Sequence, residues 1–412
     1  MYYSTSKGSE KPAKPRPDFP LFPHATGRWA KKIRGKLHYF GKWADPDAAL
    51  QRYVEERDDL YAGRKPRHKG DGLTIKDLVK RFLAAKKARV DAGELALGTF
   101  GDQYKTCKRV LSVFGGDRLV DDLAPDDFEV LRAQIAKTYG KLSRKVEIKR
   151  VRSIFRYAYE ANLIDKPVRF GPGFIGPSRR ELRCERQQNG LRMFEAAEIK
   201  AMLAAAPVAL KAMILLGINC GFGNTDVANL TIKNLDLKGG WCDYPRPKTG
   251  ISRHCPLWPE TVKAIRVALK ARPEPHDTAD ADLVFLTPAG QRWVWTRGNP
   301  VDIDATDMEK LARISRADRV TAAMGQLLSK LGLARRGHTF YALRHTFETI
   351  GGECRDQVAV DAIMGHSRED MASVYRERIG DDRLRAVVKL VRKWLLAESM
   401  ETARESASRR IR

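Results

Sequence analysis

The pattern of hydrophobic and polar positions begins with a short block that has the spacing of strands. Between residues 28 and 64, two short runs flank residues 35–36, and this predicts a hairpin turn. Residues 45–46, Asp-Pro, predict the N-terminus of a helix. The apolar stripe expected of this helix consists of Leu50, Tyr53 and Val54. The block is therefore predicted to be a small sheet packed on one helix.

Residues 73–165 have the period of helices instead. Thr74 and Asp77 form a capping box ahead of Leu78, and further helices are expected near 99–114, 125–139 and 143–163. The buried stripe of the last helix is predicted to be Val151, Ile154, Phe155 and Ala158. We expect a helical domain over this range.

The rest of the chain divides by composition. Residues 166–190 are rich in Pro, Gly and Arg without sustained periodicity and are interpreted as a domain linker. Residues 191–385 are mostly helical, with a hairpin predicted in WCDYPRPKTGISRHCPL, and residues 386–412 form an amphipathic helix and tail. Residues 1–27 are interpreted as a flexible basic arm. The predicted fold class is mainly α with small β elements (α+β).

The charge balance changes the picture most. Lys and Arg number 76 against 51 Asp and Glu, a net charge of +25, which favours a polyanionic partner. The basic side chains are concentrated on one helical face and in the first hairpin. The helical face carries Lys145, Lys149, Arg152 and Arg156, and the hairpin carries Lys31, Lys32, Arg34 and Lys36. We interpret both as DNA-contacting surfaces; the alternative is solvated faces of a generically basic protein.

Two features bear on compartment and cofactors. No run of 18 apolar residues occurs, and the N-terminus lacks the apolar segment of a secretory signal. The six cysteines are scattered without C-x-x-C spacing, so a zinc site is not expected. We expect reduced thiols in a cytoplasm instead.

Four local features of the third block have chemistry that suits a phosphodiester. Lys248 of PKTG lies at a predicted hairpin tip, and Arg344 and His345 occur in YALRHTF. His366 follows in IMGHS, and Tyr375 comes nine residues later. Each residue alone is ordinary, since single Tyr and His side chains usually pack in cores. Their order and spacing carry the signal.

This order resembles the tyrosine recombinase, or phage integrase, family. Its C-terminal box has an R-H-T-F segment, then L-G-H-S, and a tyrosine nine residues after that histidine; YALRHTF, IMGHS and Tyr375 are similar. PKTGISRHCPL is similar to the family's lysine-bearing hairpin, and GFGNTDVANL to the frame of T-G-x-R-x-x-E-L-x-x-L. The resemblance extends from residue 28 to about 385. It implies an arm-type DNA-binding domain at 28–64, a core-binding domain at 73–165 and a catalytic domain at 191–385.

The resemblance also implies a reaction. Tyr375 would attack the scissile phosphate to give a 3′-phosphotyrosine, and Arg344 would hold the phosphate oxygens. Lys248 would protonate the leaving 5′-oxygen, His366 would hydrogen-bond the phosphate, and His345 would support the site from behind. Neither ATP nor a metal would be needed. The implied partner is double-stranded DNA in a nucleoid, bound by a homo-tetramer, with no membrane and no small-molecule substrate.

One position departs from the family's pattern in charge. Aligning Asp226 with the glutamate of the family's frame and Leu230 with its last leucine places Gly223 where the first arginine belongs. A shifted register places Asn219 there instead. Loss of such a contact slows a reaction roughly a hundred- to thousand-fold. Arg253, on the predicted second strand of the hairpin, is a candidate to fill the place, and Asn219 or Asn224 could give a neutral, weaker contact.

A second departure is Tyr341, which stands where H-x-x-R begins with histidine, while His338 lies three places earlier. A tyrosine hydroxyl still donates a hydrogen bond to phosphate. Tyr341 is therefore included among the expected catalytic side chains.

Three other functions have to be weighed against a site-specific recombinase. A catalytically impaired integrase-like DNA-binding protein explains the missing arginine but has no need of Tyr375. A type IB topoisomerase shares the chemistry but not the two additional DNA-binding blocks. A helix-turn-helix regulator explains none of the motif spacing.

Overall fold

The computed structural model describes residues 11–63, 72–298, 314–366, 371 and 375–397. Two compact units are formed by Met1–Ala85 with Lys105–Gly176, and by Lys86–Tyr104 with Pro177–Arg412. The first ten residues of the predicted basic arm, and most of the residues between the sheet block and the helical block, lie outside the described residues. The domain boundaries given above remain predictions.

The first unit begins with an antiparallel sheet in the order β1-β2-β3. Its strands are Phe22–His24, Arg28–Ile33 and Lys36–Lys42. The turn between β2 and β3 consists of Arg34 (φ 48°) and Gly35 (φ 80°), as a two-residue turn with two positive φ angles requires. The predicted turn was thus one residue too late, since Lys36 already pairs with Ile33.

Helix α1, Pro46–Tyr61, packs on this sheet. Asp45 is its N-cap and accepts from the N–H of Ala48, so the predicted start is confirmed. Tyr53 is buried in the small core, but Val54 is 48% exposed. The prediction for Val54 was wrong because it lies one residue, about 100°, beyond Tyr53 around the helix.

Four helices follow: α2 Ile75–Asp91, α3 Leu97–Phe114, α4 Pro125–Thr138 and α5 Lys141–Glu160. The Thr74 hydroxyl accepts from the Asp77 N–H, as the capping box predicts. All four residues of the stripe predicted for α5 are buried. Edge-to-face rings fill the centre of this part of the unit: Phe114, Phe128, Phe155 and Phe170.

The segment interpreted as a linker, residues 166–190, contains a helix, α6 Arg179–Gln188, that was not predicted from the sequence. Ser178 and Glu181 form its capping box. None of its residues is buried, so it has no apolar stripe for periodicity to detect.

The second unit is built around a largely apolar helix. The helices α7 Ala196–Ala205, α8 Val208–Cys220, α9 Asn224–Ala228, α10 Pro259–Lys270, α11 Arg319–Lys330, α12 Ala342–Gly352 and α13 Gln357–Met364 share its core. Helix α8 is buried along most of its length and packs against α10 and α12. The mainly helical fold predicted from the sequence is confirmed.

Two small sheets accompany these helices. The strands β4 Leu235–Asp236, β5 Trp241–Asp243 and β6 His254–Pro256 form one antiparallel sheet, and β7 Val294–Arg297 pairs with β8 Ser315–Asp318. Cys242 pairs with Cys255 in the ladder of β5 and β6, which confirms the hairpin predicted around PKTG.

The last described helix, α14 Asp381–Leu396, packs on its own chain. Its buried side chains are Leu384, Val387, Val388, Val391 and Leu395. The Trp258 indole donates to the Val388 carbonyl at 2.9 Å. The sequence left open whether this segment packs in cis, and its described part does. Nowhere in the described ranges is there a helix long and apolar enough to cross a membrane.

Candidate active site

Arg344, near the start of α12, is the centre of the site. Its guanidinium is 3% exposed, and Nη1 donates to the Gly221 carbonyl at 2.5 Å. Nη2 donates to the Met364 carbonyl at 2.8 Å. A buried cation is stable only when such bonds satisfy its N–H groups. Arg344 therefore links the end of α8 to the end of α13.

Two glycines make these helix ends possible. Gly221 ends α8 with φ 63°, and Gly365 ends α13 with φ 64°. Both are left-handed caps, which glycine adopts without steric cost. Each turns the chain so that carbonyls at the helix end face the side chains between the two helices.

His366 follows the second cap directly. Its Nε2 lies 2.8 Å from Arg344 Nη2, and since a guanidinium can only donate, Nε2 accepts. The proton then belongs on Nδ1, which lies 3.3 Å from Asp361 Oδ1 and 3.7 Å from Glu348 Oε2. The imidazole is thus held between a cation and an acidic pair. Glu348, Asp361 and His366 each offer one ligand atom, and these atoms lie within 4.8 Å of one another, as at a metal site. The positive charge of Arg344, bonded to the other nitrogen of the His366 ring, opposes the binding of a metal ion there.

The hairpin between β5 and β6 is attached beside His366. Arg246 Nη1 donates to the Gly365 carbonyl at 3.1 Å, and the Thr249 hydroxyl lies 3.4 Å from the same oxygen. Lys248 stands between them in the turn and is exposed. The bonds of Arg246 and Thr249 therefore hold the turn that carries Lys248 next to Gly365, the residue before His366.

Tyr375 is on the surface, with 76% of its area exposed. Its neighbour Arg376 lines a cavity of about 610 Å³ that His366, Asp361 and Ser252 also line. The chain segment that carries Tyr375 thus borders the same cavity as His366. Much of the intervening stretch lies outside the described residues.

Gly223, the position without the expected arginine, lies against Tyr341. A Cβ at Gly223 would be 3.2 Å from the edge of the Tyr341 ring. The ring also makes an edge-on contact with His345, with centroids 5.5 Å apart. Tyr341 is 44% exposed. The tyrosine thus occupies the space beside Gly223.

Arg253 lies below this surface and is fully buried. Its Nη2 donates to Asp226 Oδ1 at 3.0 Å, Nε donates to the Tyr244 carbonyl, and the guanidinium lies 4.3 Å from the centre of the Phe222 ring. Its side chain has no exposed surface and is the counter-ion of Asp226, and its Nη1 has no hydrogen-bond partner among the described residues.

The two asparagines are also engaged elsewhere. Asn219 is buried and bonded to the Pro256 carbonyl and the Trp258 N–H. Asn224 donates to Asp318, the N-cap residue of α11. Neither amide is placed to receive a phosphate, so the three substitutes suggested by the sequence are used for structure.

Burial and neighbouring cations set the electrostatics. Burial, followed by the charge of Arg246, lowers the pKa of Arg344. Burial, followed by the charges of Arg192 and Arg186, lowers the pKa of His345. Positive charge is thus concentrated around α12.

The remaining sequence-predicted residues lie elsewhere. His338 is buried against Phe194 and bonded to Arg335. In the first unit, Lys149, Arg156, Arg34 and Lys36 are exposed, as a DNA-contacting surface requires. Arg152 instead donates to the Phe174 carbonyl at 2.8 Å and lies over the Phe170 ring. Arg152, which was predicted to contact DNA, thus has its guanidinium in packing contacts within the unit.

Sequence reasoning missed the residues that surround His366. Asp361 lies five residues before it on α13, and Glu348 comes from α12. Arg246, two residues before Lys248, was not singled out either. Only Arg246 stood within a segment that the sequence singled out, the predicted hairpin WCDYPRPKTGISRHCPL, and nothing in the spacing distinguished it from other surface arginines.

Known proteins resemble this chain in sequence family and in fold. A model of the phage integrase family matches residues 189–379. A lambda integrase tetramer bound to a Holliday junction has a similar structure, with a TM-score of 0.54 and 14% identity over 89% of this chain and 98% of that one. The Tn1549 transposon integrase in complex with transposon right-end DNA gives 0.54 and 15% over 77% and 99%. At these identities the likeness shows a shared fold. No curated protein matches the sequence.

Proposed function

The chain carries a domain of the phage integrase family, the tyrosine recombinases, over residues 189–379, and from this premise we propose that it cuts and rejoins DNA at a specific site. The observation that carries the proposal is the convergence of three elements on residues 364–366. Arg344 bonds to Met364 and His366, and the Lys248 hairpin bonds to Gly365. These bonds join Arg344, His366 and the hairpin that carries Lys248 to one short turn, which supports the proposal.

In this proposal Tyr375 is the nucleophile. Its hydroxyl oxygen attacks the scissile phosphorus, the bond to the 5′-oxygen breaks, and a 3′-phosphotyrosine forms. The large exposed area of Tyr375 suits a side chain that has to reach a bound duplex. A second 5′-hydroxyl then attacks the phosphotyrosine and restores a phosphodiester, so no external energy source is required.

Arg344 stabilises the negative charge that develops on the phosphate oxygens. Both ring nitrogens of His366 are engaged in this arrangement, so His366 acts on the phosphate through Arg344, whose guanidinium it keeps in place. Donors that are fixed before the reaction cost no reorganisation when the charge develops. The bonds of Arg344 to two main-chain carbonyls provide this fixation. His345 and Tyr341 support the same wall, with Tyr341 as a hydrogen-bond donor to the phosphate.

Lys248 is the general acid that protonates the leaving 5′-oxygen. An exposed ammonium on a hairpin tip is mobile, but the bonds of Arg246 and Thr249 to Gly365 limit where the tip lies. The proton transfer needs only this side chain. No metal or ATP enters any step.

The partner in this proposal is double-stranded DNA. Lys149, Arg156, Arg34 and Lys36 of the first unit contact its backbone, consistent with the net charge of +25. Exchange of strands between two duplexes requires four nucleophiles, so we propose a homo-tetramer on DNA.

The experiment uses a library of nicked duplexes with a randomised centre. A nick lets the short 5′-hydroxyl fragment diffuse away, which traps the covalent complex. The complexes are isolated under denaturing conditions and sequenced to identify the site. We expect wild-type protein to enrich one sequence and Tyr375→Phe to trap nothing.

The same library decides the main alternative, a protein that binds DNA without cleaving it. Selection under native conditions would then enrich one sequence equally for wild type and Tyr375→Phe, while denaturing conditions trap neither. That result would reject the enzymatic proposal and retain specific binding.

A further inference from the structure

Two guanidinium groups are bonded to consecutive carbonyls of the same turn. Arg344 Nη2 donates to the Met364 carbonyl at 2.8 Å, and Arg246 Nη1 donates to the Gly365 carbonyl at 3.1 Å. The next residue is His366, which accepts from Arg344. The turn therefore brings cations from two distant parts of the sequence to consecutive carbonyls just before His366.

The position of Arg246 depends on Gly365. A Cβ at Gly365 would lie 2.9 Å from Cδ of Arg253 and 3.1 Å from both Cβ and Cδ of Arg246. Such distances are shorter than ordinary van der Waals contact, so the absence of a side chain at Gly365 lets both arginines lie close to the turn without displacement. The carbonyl bond then fixes the end of the side chain.

Neither Arg344 nor Arg246 forms an ion pair with a carboxylate among the described residues, although the charge of Asp226 acts on Arg344 and favours its charged form. Asp226 is bonded to Arg253, and Asp361 lies on the far side of His366 from Arg344. Burial first, and then the charge of the nearby Arg246, lowers the pKa of Arg344. Like charges held together in this way are stabilised when an anion binds between them.

Arg253 does not supply this function because it has no exposed surface and is paired with Asp226. Arg246, by contrast, is partly exposed, and its carbonyl bond uses one of five N–H donors. Gly223 has no side chain with which to bind a phosphate.

We propose that Arg246 is the second phosphate-binding guanidinium of this site, in place of the arginine absent at Gly223. It binds a non-bridging oxygen of the scissile phosphate opposite Arg344. This inference rests on the proposed function, since it assigns a residue to that reaction. The site then has two phosphate-binding guanidinium groups, Arg344 from α12 and Arg246 from the hairpin between β5 and β6.

The test compares Arg246→Ala with Arg266→Ala on the site recovered from the duplex library. Arg266 is exposed on α10 and donates to a carbonyl, Leu237, as Arg246 does to Gly365. We expect covalent complex formation to slow roughly a hundred- to thousand-fold for Arg246→Ala and to stay unchanged for Arg266→Ala. Arg246→Lys should give an intermediate rate, since it keeps the charge but loses the planar fork. The thermal unfolding midpoint of each variant excludes loss of fold.

A second substrate separates phosphate binding from positioning of the hairpin. It carries a neutral methylphosphonate at the scissile position, which removes the charge that Arg246 is proposed to neutralise. The deficit of Arg246→Ala should shrink on this substrate. An unchanged deficit would overturn the inference and make Arg246 a positioning residue for Lys248, and no deficit on the phosphodiester would overturn it as well.

Failure of the proposed function has a different signature. If wild-type protein forms no covalent complex on any duplex, the reaction is rejected, and binding is measured on the natively selected site. Arg246→Ala should then weaken binding to the phosphodiester duplex more than to the methylphosphonate duplex. Equal weakening on both would reject the phosphate contact itself.

Discussion

One carboxylate connects Gly223 to Arg253. Asp226 Oδ2 accepts from the Gly223 N–H at 2.8 Å, and Oδ1 accepts from Arg253 Nη2 at 3.0 Å. A buried cation thus lies one carboxylate away from the position that lacks the expected arginine. Its role there is to hold the start of α9.

This pair should be sensitive to loss of one partner. Asp226→Asn leaves the Arg253 charge buried without compensation, and we expect it to lower the free energy of unfolding by about 3 kcal/mol. The control is Asp91→Asn, which breaks an exposed pair with Lys87 and should cost at most about 0.5 kcal/mol. Urea unfolding measures both. Similar losses for the two variants would contradict the interpretation.

Gly223 and Tyr341 should be energetically coupled. Gly223→Arg places a Cβ 3.2 Å from the Tyr341 ring, so we expect it to destabilise the unit by about 1–3 kcal/mol. Tyr341→Ala opens that space, and the double variant should recover part of the loss. A double-mutant cycle by thermal unfolding gives the coupling, about 0.5–3 kcal/mol. Strict additivity would show that the ring does not limit this position.

Acid should weaken the fold through His345. Its pKa is lowered in the folded state, first by burial and then by Arg192 and Arg186, so the unfolded chain binds the proton more readily. The free energy of unfolding therefore falls as pH drops below the ordinary histidine pKa of about 6.5. The fall should be smaller in His345→Asn than in wild type. Melting curves across pH measure it, with exposed His276→Asn as the variant that should leave the fall unchanged.

Helix α14 should contribute to stability as part of its own unit. Leu384 is 3% exposed, and Leu384→Ala should cost about 2–5 kcal/mol by leaving a cavity. Lys389→Ala on the exposed face of the same helix should change the free energy of unfolding by less than about 0.5 kcal/mol. Urea denaturation compares them. A small effect at Leu384 would mean that the helix does not pack in cis in solution.

Local patterns were sufficient for much of the fold. The stripe of α5, the cap at Asp45 and the hairpin around PKTG all follow from interactions between residues close in sequence. Local patterns did not detect α6, which buries nothing, or assign Val54 to the correct face.

The candidate site was only partly predictable for the same reason. The spacing of Arg344 and His366 indicated a shared role, and the structure bonds them to each other. The pairing of Asp226 with Arg253 and the approach of Arg246 to Gly365 join residues from different elements. Such contacts depend on how helices and hairpin pack, which no single segment specifies.

The anchoring of Arg344 and Arg246 on peptide carbonyls has a consequence for mutational mapping. Substitution of Met364 changes a side chain but leaves the oxygen that Arg344 uses in place. An alanine scan through residues 357–364 would therefore report on packing and overlook the acceptors that orient both cations. Ester substitution at the following peptide bonds, which weakens a carbonyl as an acceptor without altering any side chain, would detect what the scan does not.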